Sequence, residues 1–415
     1  MSNLLAQVLT LLSGLLINFF VPAIYGLEVY GEFIQQNILA FFVHKLTDSF
    51  GEPLISHTKA ESVLFASTAL NILVIFVFVL ISFFQPIGSP LLLASMLLSS
   101  SVILSIYALK RVNLLISYYV LMLTLFFVLI IARTIFSSPV SILDLMFYCN
   151  AIPTLISIAV LLRTSARPQS YKEIGHLLLW TLRLVPRFAS VTLVYNTFSN
   201  LLPALLSRTL SHHDLGLYRV ITAIIQSATS IFPINTRVIL SSFLQNPYAD
   251  KHYATLIATS AMYFNFIGLL ALGTCFWYPP FRPYAVLVCV LPVLYWAVIT
   301  ERFLLAIQLS SLVSRVNILL AAIISLAALF TQSINDAILL YAIGFSTYAS
   351  ILIVFTPAKL NRWAVAWVLF ISPIAVYVQN FNLGAAVLML MISFTICFFS
   401  FKIRGADLRA MLVSL

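Results

Sequence analysis

Charged side chains are scarce in this chain. Asp, Glu, Lys and Arg make up 8% of the 415 residues and 62% are apolar, whereas a soluble domain carries about 25% charged residues. A composition this poor in charge excludes an ordinary soluble fold and describes a chain dissolved in lipid. Cysteine is scarce too: Cys149, Cys275, Cys289 and Cys397 are scattered, with no CxxC and no Cys/His ligand spacing. They read as small apolar residues in helix packing. No arrangement for nucleophilic catalysis, metal ligation or a phosphate-binding loop is present, so no catalytic residue, metal or cofactor is expected. The first segment lacks a basic n-region and a small-residue cleavage site, and reads as a membrane helix rather than a signal peptide. A net charge of +10 would suggest nucleic acid in a soluble protein; here the placement of the cations accounts for it, and no nucleic-acid partner is expected.

What is present is apolar sequence from end to end, broken into lengths suited to spans of about 20 residues. Turn residues and charges divide it into fourteen expected helices. They run over 3–25, 31–56, 62–84, 90–109, 112–135, 141–163, 184–207, 215–243, 253–276, 283–308, 312–330, 335–355, 363–379 and 383–402. Gln85-Pro86-Ile87-Gly88, Tyr278-Pro279-Pro280 and Asn380-Phe381-Asn382 mark three of the breaks. With a cytoplasmic N-terminus, thirteen loop cations fall on the inner side (Lys59, Lys110, Arg111, Arg163, Arg167, Lys172, Lys251, Arg315, Lys359, Arg362, Lys402, Arg404 and Arg409). Three fall outside: Arg133, Arg208 and Arg282. That bias requires an even number of spans with both termini inside, because a miscounted helix would invert every later loop.

The second half echoes the first. Gly26-Leu-Glu-Val-Tyr30-Gly31 follows span 1, and Asp214-Leu-Gly216-Leu-Tyr218 follows span 7. Arg111-Val-Asn opens span 5 and Arg315-Val-Asn opens span 11. Six spans keep the orientation, and parallel repeats of this kind pack about an axis along the membrane normal. The expected fold is an all-α polytopic membrane protein of fourteen transmembrane helices, with two parallel six-helix lobes around a central cavity. The expected division is 1–163 for the first lobe and 164–183 for a cytoplasmic linker and interfacial helix. The second lobe occupies 184–355, and two further helices with a short tail occupy 356–415. In the linker, His176 to Arg183 can lie amphipathically at the interface with Trp180 at headgroup depth and Pro186 turning the chain inward.

Nine charges fall inside apolar segments: Lys45, Arg183, Arg187, Arg219, Arg237 and Arg302 against Asp48, Glu52 and Glu301. A charge at membrane depth is costly and usually faces a bundle interior or a wet cavity. The cationic excess points to an anionic cargo. His44, Asp48 and Glu52 share one stripe of span 2, with Lys45 three residues before Asp48. They read either as a cavity-lining strip that exchanges protons or as a self-neutralising structural cluster. Glu301 and Arg302 point about 100° apart, so one of them must reach another helix. Arg183 and Arg187 are spaced i, i+4; Arg183 can also snorkel to the inner headgroups. Arg219 and Arg237 stand at opposite ends of span 8, and arginine suits phosphate through its two-pronged hydrogen bonding. His212-His213 reads as an ordinary polar turn.

At Asn200-Leu-Leu-Pro203-Ala-Leu-Leu-Ser207 and His213-Asp-Leu-Gly216-Leu-Tyr218-Arg-Val, the chain resembles the polysaccharide flippases of the multidrug/oligosaccharidyl-lipid/polysaccharide exporter superfamily. Glu28-Val-Tyr30-Gly31-Glu-Phe33 is similar to that family's sequence after its first helix. The resemblance implies a V-shaped pair of lobes, alternating access, and a polyprenyl-pyrophosphate-linked oligosaccharide such as an O-antigen repeat unit as substrate. It also implies a bacterial inner-membrane location, surrounding membrane lipids, and a polysaccharide polymerase and chain-length regulator as candidate partners. Charges are common there on helices 1, 2, 7 and 8; span 1 here carries none, a departure. Within the superfamily a cation-coupled drug exporter is the alternative, against which the cationic excess weighs. A membrane-embedded polymerase or glycosyltransferase is the enzymatic alternative; it usually needs a sizeable outer loop, and none here exceeds about a dozen residues.

Overall fold

The computed structural model of the chain describes residues 2–48, 63–84, 88–136, 139–164, 175–176, 179, 193–228, 243, 249–279, 282–358, 360–379 and 382–401. Among the described residues are fourteen helical rods, each falling on one of the expected spans. The rod α1 runs through Ser2–Leu15, a π-helical turn Leu16–Phe20 and Val21–Tyr25. Next come α2 (Leu27–Asp48), α3 (Val63–Phe84), α4 (Pro90–Ala108), α5 (Val112–Phe136) and α6 (Ile142–Thr164). The rod α7 comprises Leu193–Asn196, a π-helical turn Thr197–Leu201 and Leu202–Leu206. Then follow α8 (His212–Ala228), α9 (Ala249–Trp277) and α10, which joins Arg282–Ala285, a 3₁₀ stretch Val286–Val290 and Leu291–Ala306. The last four are α11 (Ser310–Ala328), α12 (Ile334–Val354), α13 (Arg362–Val378) and α14 (Leu383–Phe401).

An all-helical architecture follows from the solvent. A lipid-exposed backbone must satisfy its own hydrogen bonds, and the helix does so within one segment. Ten of the described helices are long and apolar enough to cross a membrane, with window hydropathies of 1.7–2.7. The helix α2 is not among them, although it has 22 residues. Glu32, Gln35, Gln36 and Asn37 in its first half lower its hydropathy.

The chain divides into two compact units, Met1–Ser207 with Ser211–Gly216 and Arg208–Leu210 with Leu217–Leu415. In the first, α4 is central: it packs on α2, α3, α5 and α6, and α1 lies along α5. Its serines Ser95, Ser99, Ser101 and Ser105 are buried, and small side chains let helix backbones approach closely. The rod α7 packs on α2, which places it in the first unit by contact, whereas the division at 163 and 184 follows the repeat along the sequence. In the second unit α10 has the central place, packing on α9, α11, α12 and α13. The two extra helices belong to this unit. The helix α14 packs on α9 and α13, α13 packs on α12, and Arg282 donates to the Gln379 carbonyl at the end of α13.

The halves repeat at the level of turns. Lys110 (φ 55°) after α4 and Gln308 (φ 66°) after α10 are both left-handed. Each sits in the same pair of bonds: Arg111 N to Ile106 O and Lys110 N to Tyr107 O, against Leu309 N to Leu304 O and Gln308 N to Leu305 O. This is the Schellman closure of a helix C-terminus. Ser141 and Asp144 cap the start of α6 reciprocally, and Ser333 and Asp336 do the same for α12. The π turns of α1 and α7 each lead directly into a proline, Pro22 and Pro203. The Arg-Val-Asn echo, by contrast, is out of register. Arg111 stands immediately before α5, whereas Arg315 is the sixth residue of α11.

Candidate functional site

In the first unit, polar side chains line the contacts of α4 and α7 with their neighbours. His44 is half-buried on α2, and its Nε2 lies 2.9 Å from Ser100 Oγ on α4. Asn71 on α3 donates to the Leu97 carbonyl at 2.8 Å and to Ser101 Oγ at 2.7 Å. Ser99 Oγ and Tyr118 Oη are 2.5 Å apart, with Thr154 of α6 beyond at 3.4 Å. Behind α2, the buried Asn200 donates to Asn196 Oδ1 at 2.7 Å, and Asn196 donates to the Phe42 carbonyl at 3.3 Å. These asparagines flank and occupy the π turn of α7. Such a turn leaves out a normal i→i−4 bond, and π turns recur at functional sites.

The second unit buries a carboxylate. Glu301 on α10 is 2% exposed and accepts a 2.6 Å hydrogen bond from Tyr348 Oη of α12. Elsewhere on α10, toward α9, Thr300 Oγ1 lies 2.9 Å from Tyr253 Oη, and Trp296 Nε1 donates to the Ile257 carbonyl at 2.9 Å. Tyr253 stacks on Phe303 with ring centroids 4.4 Å apart. An acidic group buried in an apolar helix bundle is expensive to maintain, so it is held by hydrogen bonds or exchanges a proton.

The other residues singled out from sequence are distributed as follows. The helix α2 is continuous through Asp48, so His44 and Asp48 lie one turn apart on one face, and Lys45 is exposed in the last turn. Arg219 is half-buried in the second turn of α8, and Arg302 is half-buried on α10 next to Glu301. Arg183, Arg187, Arg237, Glu52, the Asp48 side chain, Trp180 and Pro186 lie outside the described residues. Among the described residues, no three His, Cys, Asp or Glu side chains gather into a group that could hold a metal.

No family model and no curated protein sequence matches the chain. Among solved structures, the lipid II flippase MurJ in an inward closed conformation is similar over 98% of this chain and 98% of its own, with a TM-score of 0.61. The fold is that of MurJ. Sequence identity to MurJ is 14%, so the likeness resides in helix order and packing rather than in shared side chains.

Sequence reasoning passed over Tyr348, Asn71, the π turns and the backbone approach at Gly31 and Gly216. Only one of these left a legible trace: Asn196 and Asn200 stand i, i+4 in an otherwise apolar span.

Proposed function

We propose that this chain moves a polyprenyl-pyrophosphate-linked oligosaccharide from the inner to the outer leaflet of a bacterial cytoplasmic membrane by alternating access. The observation that carries this reading is the end-to-end likeness to MurJ, a lipid II flippase, covering 98% of both chains. The cationic bias at membrane depth supports an anionic headgroup. In this reading Arg219, Arg302 and Lys45, with Arg183, Arg187 and Arg237, engage the pyrophosphate, where a guanidinium can donate two parallel hydrogen bonds. The glycan is a surface-polysaccharide repeat unit such as O-antigen, and a polymerase and chain-length regulator act after it. Glu301, Asp48, Glu52 and His44 are the candidates for proton coupling. The protein is a transporter with both termini in the cytoplasm. The test is translocation of a polyprenyl-pyrophosphate-linked oligosaccharide in proteoliposomes, beside surface polysaccharide in a deletion strain. Absence of translocation together with unchanged surface polysaccharide would refute it. A drug exporter of the same superfamily would instead show efflux of cationic dyes.

A further inference from the structure

The helices α13 and α14 form a hairpin whose two ends are tied by polar groups. Asn361 caps α13 by accepting from Ala364 N at 3.3 Å, and Asn382 caps α14 by accepting from Ala385 N at 3.1 Å. Each cap also meets the end of the other helix. Asn361 Nδ2 stands 3.5 Å from the Ser400 carbonyl, and Asn382 N donates to the Val378 carbonyl at 2.8 Å. At the second end Arg282 of α10 donates to the Gln379 carbonyl. The two helices are therefore held level with each other, and neither can slide to lengthen the pair.

Those ties fix a height. From Asn361 to Gln379, and from Asn382 to Ser400, the chain advances eighteen residues, about 27 Å of helix. Tilt only shortens the projection. The hydrocarbon core of a typical bilayer is about 30 Å thick. The aromatic anchors stand closer still. Trp363 is 87% exposed and Tyr377 53% exposed; they lie fourteen residues apart, about 21 Å, and both residue types settle at the membrane interface. Every exposed residue of α13 between them is apolar: Trp367, Phe370 and Ile374. Acyl chains are the solvent for such a face. By contrast α3, α5 and α12 have 22, 25 and 21 residues, about 31 Å or more. A short apolar stretch is accommodated by snorkelling of flanking residues, by oligomerisation or by thinning of the bilayer. Snorkelling needs long charged side chains at both ends, and beside Arg362 the hairpin's ends present asparagine, serine and glutamine.

We propose that the α13–α14 hairpin thins the bilayer along its exposed face and selects lipids of short acyl chain there. A thinner hydrocarbon layer shortens the apolar distance that a polar headgroup crosses beside it. The proposal concerns the membrane and stands apart from the transport reading. The reporter is Trp363 in a full-length chain carrying Trp180→Phe, Trp277→Phe and Trp367→Phe. Trp296 is fully buried and stays as a background that lipid does not reach. The protein is reconstituted in phosphatidylcholines with brominated chains, from dimyristoleoyl through dipalmitoleoyl and dioleoyl to dieicosenoyl, each competing with unbrominated dioleoyl lipid. Relative affinity read from quenching is expected to peak at dipalmitoleoyl or shorter chains and to fall about twofold by dieicosenoyl. A second chain carries Trp363→Phe as well, with Val128→Trp on the exposed face of α5. Its reporter is expected to prefer chains of dioleoyl length or longer. Equal affinity across the series at Trp363, a preference there for dieicosenoyl, or one shared optimum at both reporters would overturn local thinning. Failure of every brominated lipid to quench Trp363 would overturn it too, and would assign the face to a second copy of the chain.

Discussion

Removing the Tyr348 hydroxyl tests whether Glu301 is held as an anion. The 2.6 Å separation falls in the range of about 2.5–2.7 Å found for O–H···O⁻ bonds. A hydrogen bond to a charged group contributes about 1.5–3 kcal/mol, against about 0.5–1.5 kcal/mol for a neutral pair. Side-chain hydrogen bonds between membrane helices average less, about 0.6 kcal/mol, because the unfolded chain in the bilayer also finds partners. Tyr348→Phe, Glu301→Gln and the double variant form a cycle that isolates the pair from the rest of the Glu301 surroundings. Because glutamine can still accept, the cycle reads the difference between a charged and a neutral acceptor, and the expected coupling is about 1 kcal/mol, read from reversible unfolding in mixed detergent micelles. Glu301→Gln preserves shape and can still accept from Tyr348, so its own loss of stability should be the smaller of the two single effects. A coupling below about 0.5 kcal/mol would refute an anion held by Tyr348. The functional counterpart is a gradient experiment. Glu301→Gln is expected to bind substrate while losing the response of translocation to an imposed proton gradient, and a parental response would remove Glu301 from the coupling candidates.

Arg219→Ala should lower translocation at least tenfold at near-normal abundance, with Arg219→Lys recovering part of it by keeping charge without the planar fork; normal transport by the alanine variant would remove its headgroup role. Asp48→Asn and Glu52→Gln should leave substrate binding intact and abolish the gradient response if the α2 stripe couples protons; an unchanged response in both favours a structural cluster. Asn71→Ala should destabilise the protein by about 1–2 kcal/mol through its two bonds to α4, measured by the same unfolding assay, without altering gradient dependence. A cysteine at position 167 should resist an impermeant thiol reagent in intact cells, whereas one at Asp214 should react; the reverse pattern would invert the topology.

The fourteen helices were legible because they lie on apolar runs set off by turn residues, and a helix satisfies its own backbone within one segment in lipid. Even α2 was legible despite Glu32, Gln35, Gln36 and Asn37, since its neighbours fix the parity of the spans. The repeat was legible only in part. Gly26-Leu-Glu-Val-Tyr30 and Asp214-Leu-Gly216-Leu-Tyr218 both open a helix, but Tyr30 is the fourth residue of α2 and Tyr218 the seventh of α8. Arg-Val-Asn is out of register as well, because a tripeptide carries no record of its position within a helix. The true registration lies in backbone geometry, in the left-handed Lys110 and Gln308, which are not residues that usually advertise that conformation.

Sequence by itself determined the membrane class and the number of helices, since both depend on local composition and chain order. It also required that Glu301 and Arg302 point apart, because that follows from helical geometry alone. Tertiary structure decided that Glu301 meets Tyr348, 47 residues away, and that His44 meets Ser100. It also brought Gly31 against the His212 turn. Such pairings depend on which helix faces sit together across the bundle. In a chain where nearly every face is apolar, sequence periodicity carries little record of that choice.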